Sequence, residues 1–189
     1  MLGQVGAKHQ QFSDHYYAKI PYEIEEILRE VENEMLEIGI PLKTKHNEVA
    51  NNQFEFACIY EDAGRSIDRN LFIMELLRET FKRHGYTVLL HEKPFRELNG
   101  SGKHANYSIN YVTEDKKLKN LFSVPKGGDA VDLQLFKLFI LLTLSSLKRN
   151  NALYFASIAV PGNEIRLGGH EAPPKIISAY LGATIDAII

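Results

Sequence analysis

The sequence predicts an α+β fold, with a mostly antiparallel sheet and helices packed against one face of it. Apolar residues recur at helical spacing in three stretches, residues 22–36, 68–84 and 131–147. An extended region covers residues 44–60, and polar and apolar residues alternate over 106–112, as in a half-buried strand. The 189 residues suffice for a single domain, 1–189, with a sizeable core.

Charge and cysteine content narrow the class of protein. The 22 Lys and Arg residues nearly balance the 24 Asp and Glu residues, giving a net charge of −2. Electrostatics therefore offers no reason to expect binding to nucleic acid or to an anionic membrane. Cys58 is the single cysteine, so no disulfide can form within the chain. Residues 1–10 lack the apolar core of a signal peptide, and we expect a cytoplasmic protein.

Three helices follow from the apolar periodicity. The first covers Tyr22–Leu36, with Pro21 at its start, a solvated Glu-rich face, and Gly39 and Pro41 beyond its end. The second covers Asp68–His84, and Gly85 suits its C-terminus. The third covers Val131–Leu147, with a break before Ala152–Ile158. Its apolar part is shorter than the roughly 20 residues of a spanning helix, which predicts a buried core helix.

Strands and turns are predicted between these helices. The extended region Thr44–Tyr60 is broken at Asn51-Asn52, and further strands are expected at Tyr86–Leu90 and Asn106–Val112. Glu114–Lys119 is predicted to be a charged turn. A short strand at Asn120–Val124 and a loop at Pro125–Asp129 follow.

The loop that precedes the strand at 106–112 concentrates polar chemistry. Gly100 and Gly102 flank Ser101, which lets the backbone approach a ligand closely, and His104 follows at once. No helix pattern follows Lys103, which excludes a P-loop. From composition alone, the loop is equally compatible with a simple chain reversal.

Two carboxylates in the extended region form a second candidate site. Glu48 and Glu55 are seven residues apart, so a continuous strand would place them on opposite faces. A turn at Asn51-Asn52 would bring them together, and asparagine supports such turns. Without a turn, both are exposed strand carboxylates.

Taken together, the two segments resemble the glutamine synthetases, and the type III branch most closely. The similar residues are Asn47-Glu48-Val49-Ala50, Gln53-Phe54-Glu55 and Asn99-Gly100-Ser101-Gly102-Lys103-His104. The resemblance implies part of the family's catalytic barrel, with Glu48, Glu55 and His104 as ligands of Mg²⁺ or Mn²⁺. It further implies roles in binding the amino-acid substrate (Asn99 and Gly100) and the nucleotide (Asn106 and Ser108). Lys93 lies near the same region and is equally compatible with an ordinary surface lysine.

The glycine- and proline-rich segment Val160–Pro174 resembles the family's active-site flap. The resemblance implies that Arg166 grips the substrate carboxylate. Glu171 would close the site and take a proton from ammonium. The segment is therefore expected to act as a mobile lid, and the alternative is a loop that only connects two packed elements.

The expected activity is ATP-dependent ligation of ammonia to L-glutamate through a γ-glutamyl phosphate. Other motifs of the family do not occur in this chain, so we expect it to be a middle section of the catalytic domain, from a homo-oligomeric parent. The alternative is a non-catalytic fragment or paralogue that binds metal or nucleotide, or assembles with partner chains.

Overall fold

The fold consists of two compact units, Met1–Ser101 and Gly102–Ile189. The structure, a computed structural model, describes residues 14–91, 93–95, 98–100, 102–125, 127, 129–158, 165, 167 and 179–181. Each unit contains one antiparallel pair of strands and helices beside it, which confirms the α+β class. That residues 1–189 form a single domain remains a prediction.

In the described residues, the first unit contains three helices and one β-hairpin. The elements are α1 (Asp14–Tyr17), α2 (Tyr22–Glu37), β1 (Leu42–Asn47), β2 (Phe54–Cys58) and α3 (Ala63–Arg83). The prediction of α2 is confirmed to within one residue. Gly39, at φ 74°, ends it in the left-handed conformation that glycine adopts without strain.

The apolar stripe of α2 forms the core of the first unit. Its buried side chains recur every three or four residues and meet α3 on one side and the hairpin on the other. The buried core consists of Ile24, Ile27, Leu28, Val31, Met35, Ile40, Ile73 and Phe81. Val31 and Met35 are completely buried. The hairpin is therefore fixed to a packed helix.

Charged contacts also link α2 to the end of α3. The Arg83 guanidinium lies 2.6 Å from Glu30 and 2.7 Å from Glu34, and His84 Nε2 lies 2.7 Å from Glu30. Hydrogen bonds from Arg83 and His84 hold the pKa of Glu30 below its usual value, and the bond from Arg83 has the larger effect. This network contributes less than a buried one would, because its members are partly exposed.

Helix α3 begins five residues before the predicted start at Asp68. The cause is Asp62, whose Oδ1 accepts hydrogen bonds from the backbone N–H of Gly64, at 3.1 Å, and of Arg65, at 3.5 Å. An Asp at the N-cap satisfies amide groups that the first turn leaves unpaired, so the helix extends through the polar residues up to that cap.

The strand predicted at Tyr86–Leu90 is wrong. These residues follow α3 without regular structure, and within the described residues they pair with no strand. Val88 packs against the α2 core, and the Tyr86 hydroxyl donates to Glu23 at 2.8 Å. Packing to a helix thus accounts for the apolar residues that had indicated a strand.

The described part of the second unit contains β3 (Asn110–Val112), β4 (Leu118–Asn120), α4 (Ala130–Arg149) and α5 (Asn151–Ile158). The strand predicted at Asn106–Val112 is shorter than expected. The strand expected at Asn120–Val124 instead lies at Leu118–Asn120, so it overlaps the end of the segment predicted to be a charged turn. Lys116 turns the chain at φ 63°, so pairing starts at Val112↔Leu118, and the Leu121 N–H still donates to Ile109 at 2.8 Å.

Asp132 joins the small hairpin of the second unit to helix α4. Its carboxylate accepts a hydrogen bond from Tyr111 at 2.8 Å and pairs with the Lys119 ammonium. Hydrogen bonds from Lys119 and Tyr111 lower the pKa of Asp132, and the bond from Lys119 has the larger effect. The same contact with Asp132 raises the pKa of Tyr111.

Helix α4 and the break before α5 lie where the sequence predicted them. The burial predicted for α4 is wrong, because only Phe136 and Ile140 are buried among its residues. Leu138, Leu141 and Leu142 are about half exposed. With 20 residues, α4 is also long and apolar enough to cross a membrane, a criterion that core helices of soluble proteins meet equally.

Candidate metal centre and substrate loop

The β1–β2 hairpin has one face toward the core and one toward solvent. Phe54, Phe56 and Cys58 pack against the α2 core, so the alternation of a strand directs Glu55 away from it. Asn47 is buried on β1, and its Nδ2 donates to the Ala18 carbonyl at 2.7 Å. The residues on either side of Asn47 therefore lie on the face that carries Glu55.

Lys45 fastens the core side of β1 to α2. Its ammonium lies 3.0 Å from both Glu25 and Glu32. Burial draws the pKa of Lys45 down, but the two carboxylates outweigh that effect and leave the pKa raised. Two of the Glu residues from the predicted solvated face of α2 thus help to hold the hairpin in place.

A tight turn brings Glu48 and Glu55 together, as the sequence predicted. The Glu48 N–H donates to the Gln53 carbonyl at 2.8 Å, and the Gln53 N–H donates to Ala50 at 3.2 Å. Asn52 adopts φ 55°, a left-handed conformation that asparagine tolerates better than most residues. The turn at Asn51-Asn52 is confirmed.

The carboxylates of Glu48 and Glu55 converge with the imidazole of His46. His46 Nε2 lies 3.0 Å from Glu55 Oε2 and 3.5 Å from Glu48 Oε1. One ligand atom from each of the three residues lies within 4.8 Å of the others. All three side chains are about one-third exposed, which leaves the cluster open to a ligand. Two carboxylate oxygens and one imidazole nitrogen form a donor set that fits a divalent cation.

Sequence reasoning did not identify His46. The signal was present in the alternation of the strand, because His46 lies two residues before Glu48 and so shares its face. Its register opposite Glu55 required knowledge of the hairpin pairing.

The segment at Asn99 and Gly100, predicted to bind the substrate, lies beside this hairpin. Gln53 Nε2 donates to the Asn99 carbonyl at 2.8 Å, which ties the loop to the turn. Leu98 is buried, and its carbonyl accepts a hydrogen bond from the Lys93 ammonium. Lys93, predicted to lie near the nucleotide, therefore also holds this loop in shape.

The remaining predicted site residues are in the second unit or outside the described residues. His104, Asn106 and Ser108 are all exposed in the second unit, ahead of β3. That His104 joins Glu48 and Glu55 at one metal stays a prediction. Arg166 and Glu171, like most of the Val160–Pro174 flap, lie outside the described residues.

Comparison with known proteins identifies the family. A family model described as glutamine synthetase, catalytic domain, matches residues 3–159. This chain belongs to the glutamine synthetase catalytic-domain family. The match covers the hairpin at Glu48 and Glu55 and the loop from Asn99 to His104, so both segments lie inside a glutamine synthetase catalytic domain.

Three glutamine synthetases illustrate the similarity, and each alignment covers the whole of this chain. A glutamine synthetase of Bacteroides fragilis (strain YCH46) is 42% identical over 196 residues, 26% of that protein. A type-3 glutamine synthetase of Dictyostelium discoideum is 40% identical over 189 residues, 25% of that protein. A glutamine synthetase of Butyrivibrio fibrisolvens is 35% identical over 189 residues, 26% of that protein. The chain spans about a quarter of the length of these relatives.

Proposed function

We propose that this chain is the metal- and substrate-binding section of a type III glutamine synthetase. The protein that contains it would ligate ammonia to L-glutamate at the expense of ATP. The observation that carries the proposal is the convergence of Glu48 and Glu55 across a turn, next to the Asn99 loop, within a chain of this family. Names of relatives at 35–42% identity over the whole chain support the same activity.

In this proposal Glu48, Glu55 and His104 hold Mg²⁺ or Mn²⁺. Bound there, the ion would neutralise charge on the phosphoryl group that passes from ATP to the glutamate side chain. The carboxylates contribute fixed negative charge and oxygen ligands, and the hairpin holds them on one face. Because β2 packs onto α2, Glu55 is held on a rigid element, and the turn brings Glu48 to it.

The other predicted residues complete the proposed reaction. Asn99 and the Gly100 backbone bind the amino-acid substrate, and Arg166 pairs with its carboxylate in fork geometry. Asn106, Ser108 and Lys93 contact the nucleotide. Glu171 closes the site and takes a proton from ammonium, so that ammonia can displace phosphate from the γ-glutamyl phosphate.

Glutamine formation by the full-length parent protein tests the proposal. The assay supplies glutamate, ATP and ammonium, with and without Mg²⁺ or Mn²⁺, and Glu55→Gln is the test variant. Glu37→Gln, at the exposed end of α2, is the matched control and should leave the rate unchanged. A parent without metal-dependent glutamine formation, or one unaffected by Glu55→Gln, would contradict the proposal.

A second candidate function is a non-catalytic fragment or paralogue that binds metal or nucleotide, or assembles with partner chains. It is favoured because the first unit alone gathers three ligand groups. Calorimetry of this chain with Mn²⁺ and ATP separates the candidates: binding without turnover supports the second, and robust turnover by the purified chain rejects it. For either candidate we propose a cytoplasmic protein and, for the synthetase, a homo-oligomeric parent.

A further inference from the structure

His46 is the member of the hairpin cluster that the proposed metal set leaves unused. It lies directly opposite Glu55 in the β1–β2 pairing and two residues before Glu48 on β1. A single atom, Nε2, approaches both carboxylates, so the imidazole points into the space between them. Tyr16 packs edge-on against its ring, with centroids 5.7 Å apart and the planes at 73°.

The two distances from His46 Nε2 to the carboxylate oxygens match the distances between ligands of one ion. For metal–ligand bonds of roughly 2.1 Å, adjacent ligands lie about 3.0 Å apart in an octahedron and about 3.4 Å apart in a tetrahedron. Nε2 lies 3.0 Å from the Glu55 oxygen and 3.5 Å from the Glu48 oxygen. These two distances, with all three ligand atoms within 4.8 Å of one another, are compatible with one shared cation.

We propose that His46 supplies a nitrogen ligand to the ion held by Glu48 and Glu55, and that it favours Mn²⁺ over Mg²⁺. This inference rests on the metal site of the proposed function and assigns it a further ligand. Mg²⁺ takes oxygen ligands and keeps much of its water, whereas an imidazole nitrogen suits transition metals. Nε2 then carries the free electron pair, and the ring proton resides on Nδ1.

Pulsed electron paramagnetic resonance of Mn²⁺ bound to the full 189-residue chain tests the assignment. An imidazole nitrogen bound to Mn²⁺ produces a nitrogen hyperfine coupling, which oxygen ligands do not produce. His104→Gln serves as the background, because His104 is the other predicted nitrogen ligand. The coupling should persist in His104→Gln and disappear when His46→Gln is added.

Affinities supply a second readout. Loss of the nitrogen ligand should weaken Mn²⁺ binding by about 10- to 100-fold, the range seen when groups that support a metal site are removed. Mg²⁺ binding should weaken less. A residue that only positions the carboxylates through a hydrogen bond would lower both affinities equally, and that result would overturn the inference.

Two further outcomes reject the assignment: a His104→Gln chain that binds Mn²⁺ without nitrogen coupling, and a wild-type chain that binds no Mn²⁺. Amide protection of Glu48, whose N–H bonds to Gln53, reports whether His46→Gln keeps the hairpin. If His46→Gln disrupts the hairpin, the presence or absence of nitrogen coupling in the His104→Gln chain decides the assignment. Because this test uses no turnover, a failed ligand assignment is distinguishable from a failed glutamine synthesis assay on the parent.

Discussion

The turn at Asn52 should control how firmly Glu48 and Glu55 are held together. Asn52 is exposed and adopts φ 55°, so replacing it changes the backbone preference with little loss of packing. The left-handed conformation costs an ordinary residue roughly 1–2 kcal/mol, and a β-branched residue is among the least tolerant. We therefore expect Asn52→Val to destabilise the hairpin by about 1–2 kcal/mol.

Asn52→Gly is the matched substitution. Glycine removes the strain of the positive φ, but it loses more conformational freedom on folding, by about 0.5–1 kcal/mol. The two effects oppose each other, so Asn52→Gly should change stability by less than about 0.5 kcal/mol. Lys116, at φ 63° in the other hairpin, provides a control away from the site, and Lys116→Gly should stabilise its own turn.

Amide hydrogen exchange at Glu48 measures the effect locally. Its N–H bonds to the Gln53 carbonyl at 2.8 Å and closes the turn. A loss of about 1–2 kcal/mol corresponds to exchange about 5- to 30-fold faster in Asn52→Val. Weaker Mn²⁺ binding should accompany it. Unchanged exchange in Asn52→Val would refute the argument that the backbone preference of residue 52 holds the turn closed.

Other substitutions test the fold and the flap. Asp62→Ala should cost about 1 kcal/mol through loss of the α3 cap, measured by urea unfolding followed by circular dichroism, and an unchanged midpoint would contradict the cap assignment. The pKa of Glu30 is lowered in the folded protein, so its contribution is present above the unfolded pKa of about 4.3 and lost as pH falls through the folded value. Arg83→Gln should therefore destabilise the chain more at about pH 7 than at about pH 3 in paired urea titrations, and a pH-independent difference would oppose this reasoning. In the full-length parent, Glu171→Ala should lower turnover far more than nucleotide affinity, since proton removal follows nucleotide binding, whereas equal losses would assign Glu171 a structural role.

The parts of the fold set by local periodicity were predictable from the sequence. Ile24, Ile27, Leu28 and Val31 of α2 repeat at helical spacing, and the structure buries all four, whereas Leu36, expected on the same stripe, is exposed. The turn at Asn51-Asn52 was predictable because asparagine tolerates the left-handed conformation. Helix α4 was predictable in extent, but its burial was not, because burial depends on what packs against a helix.

The errors arose where distant partners decide the structure. Val88 packs on a helix, although its neighbourhood has the composition of a strand. The β4 strand, Leu118–Asn120, consists of exposed residues that pair because Lys116 turns the chain before them. His46 was not predictable as a ligand, because its position opposite Glu55 is specified only by the pairing register of the hairpin.

Side chains along β2 alternate between the core and the metal-ligand cluster, so one strand determines both the packing of the hairpin and the position of the carboxylate. Phe54 and Phe56 serve the core, and Glu55 between them serves the cluster. One residue inserted within this strand would turn carboxylate inward and phenyl ring outward beyond that point, so folding and ion binding would fail together. Insertions or deletions in β2 that preserve both folding and ion binding should therefore involve an even number of residues. The register of the β1–β2 pairing shifts between Leu42 and Thr44, at the end of the hairpin away from the turn. The shift therefore does not change which face Glu55 occupies.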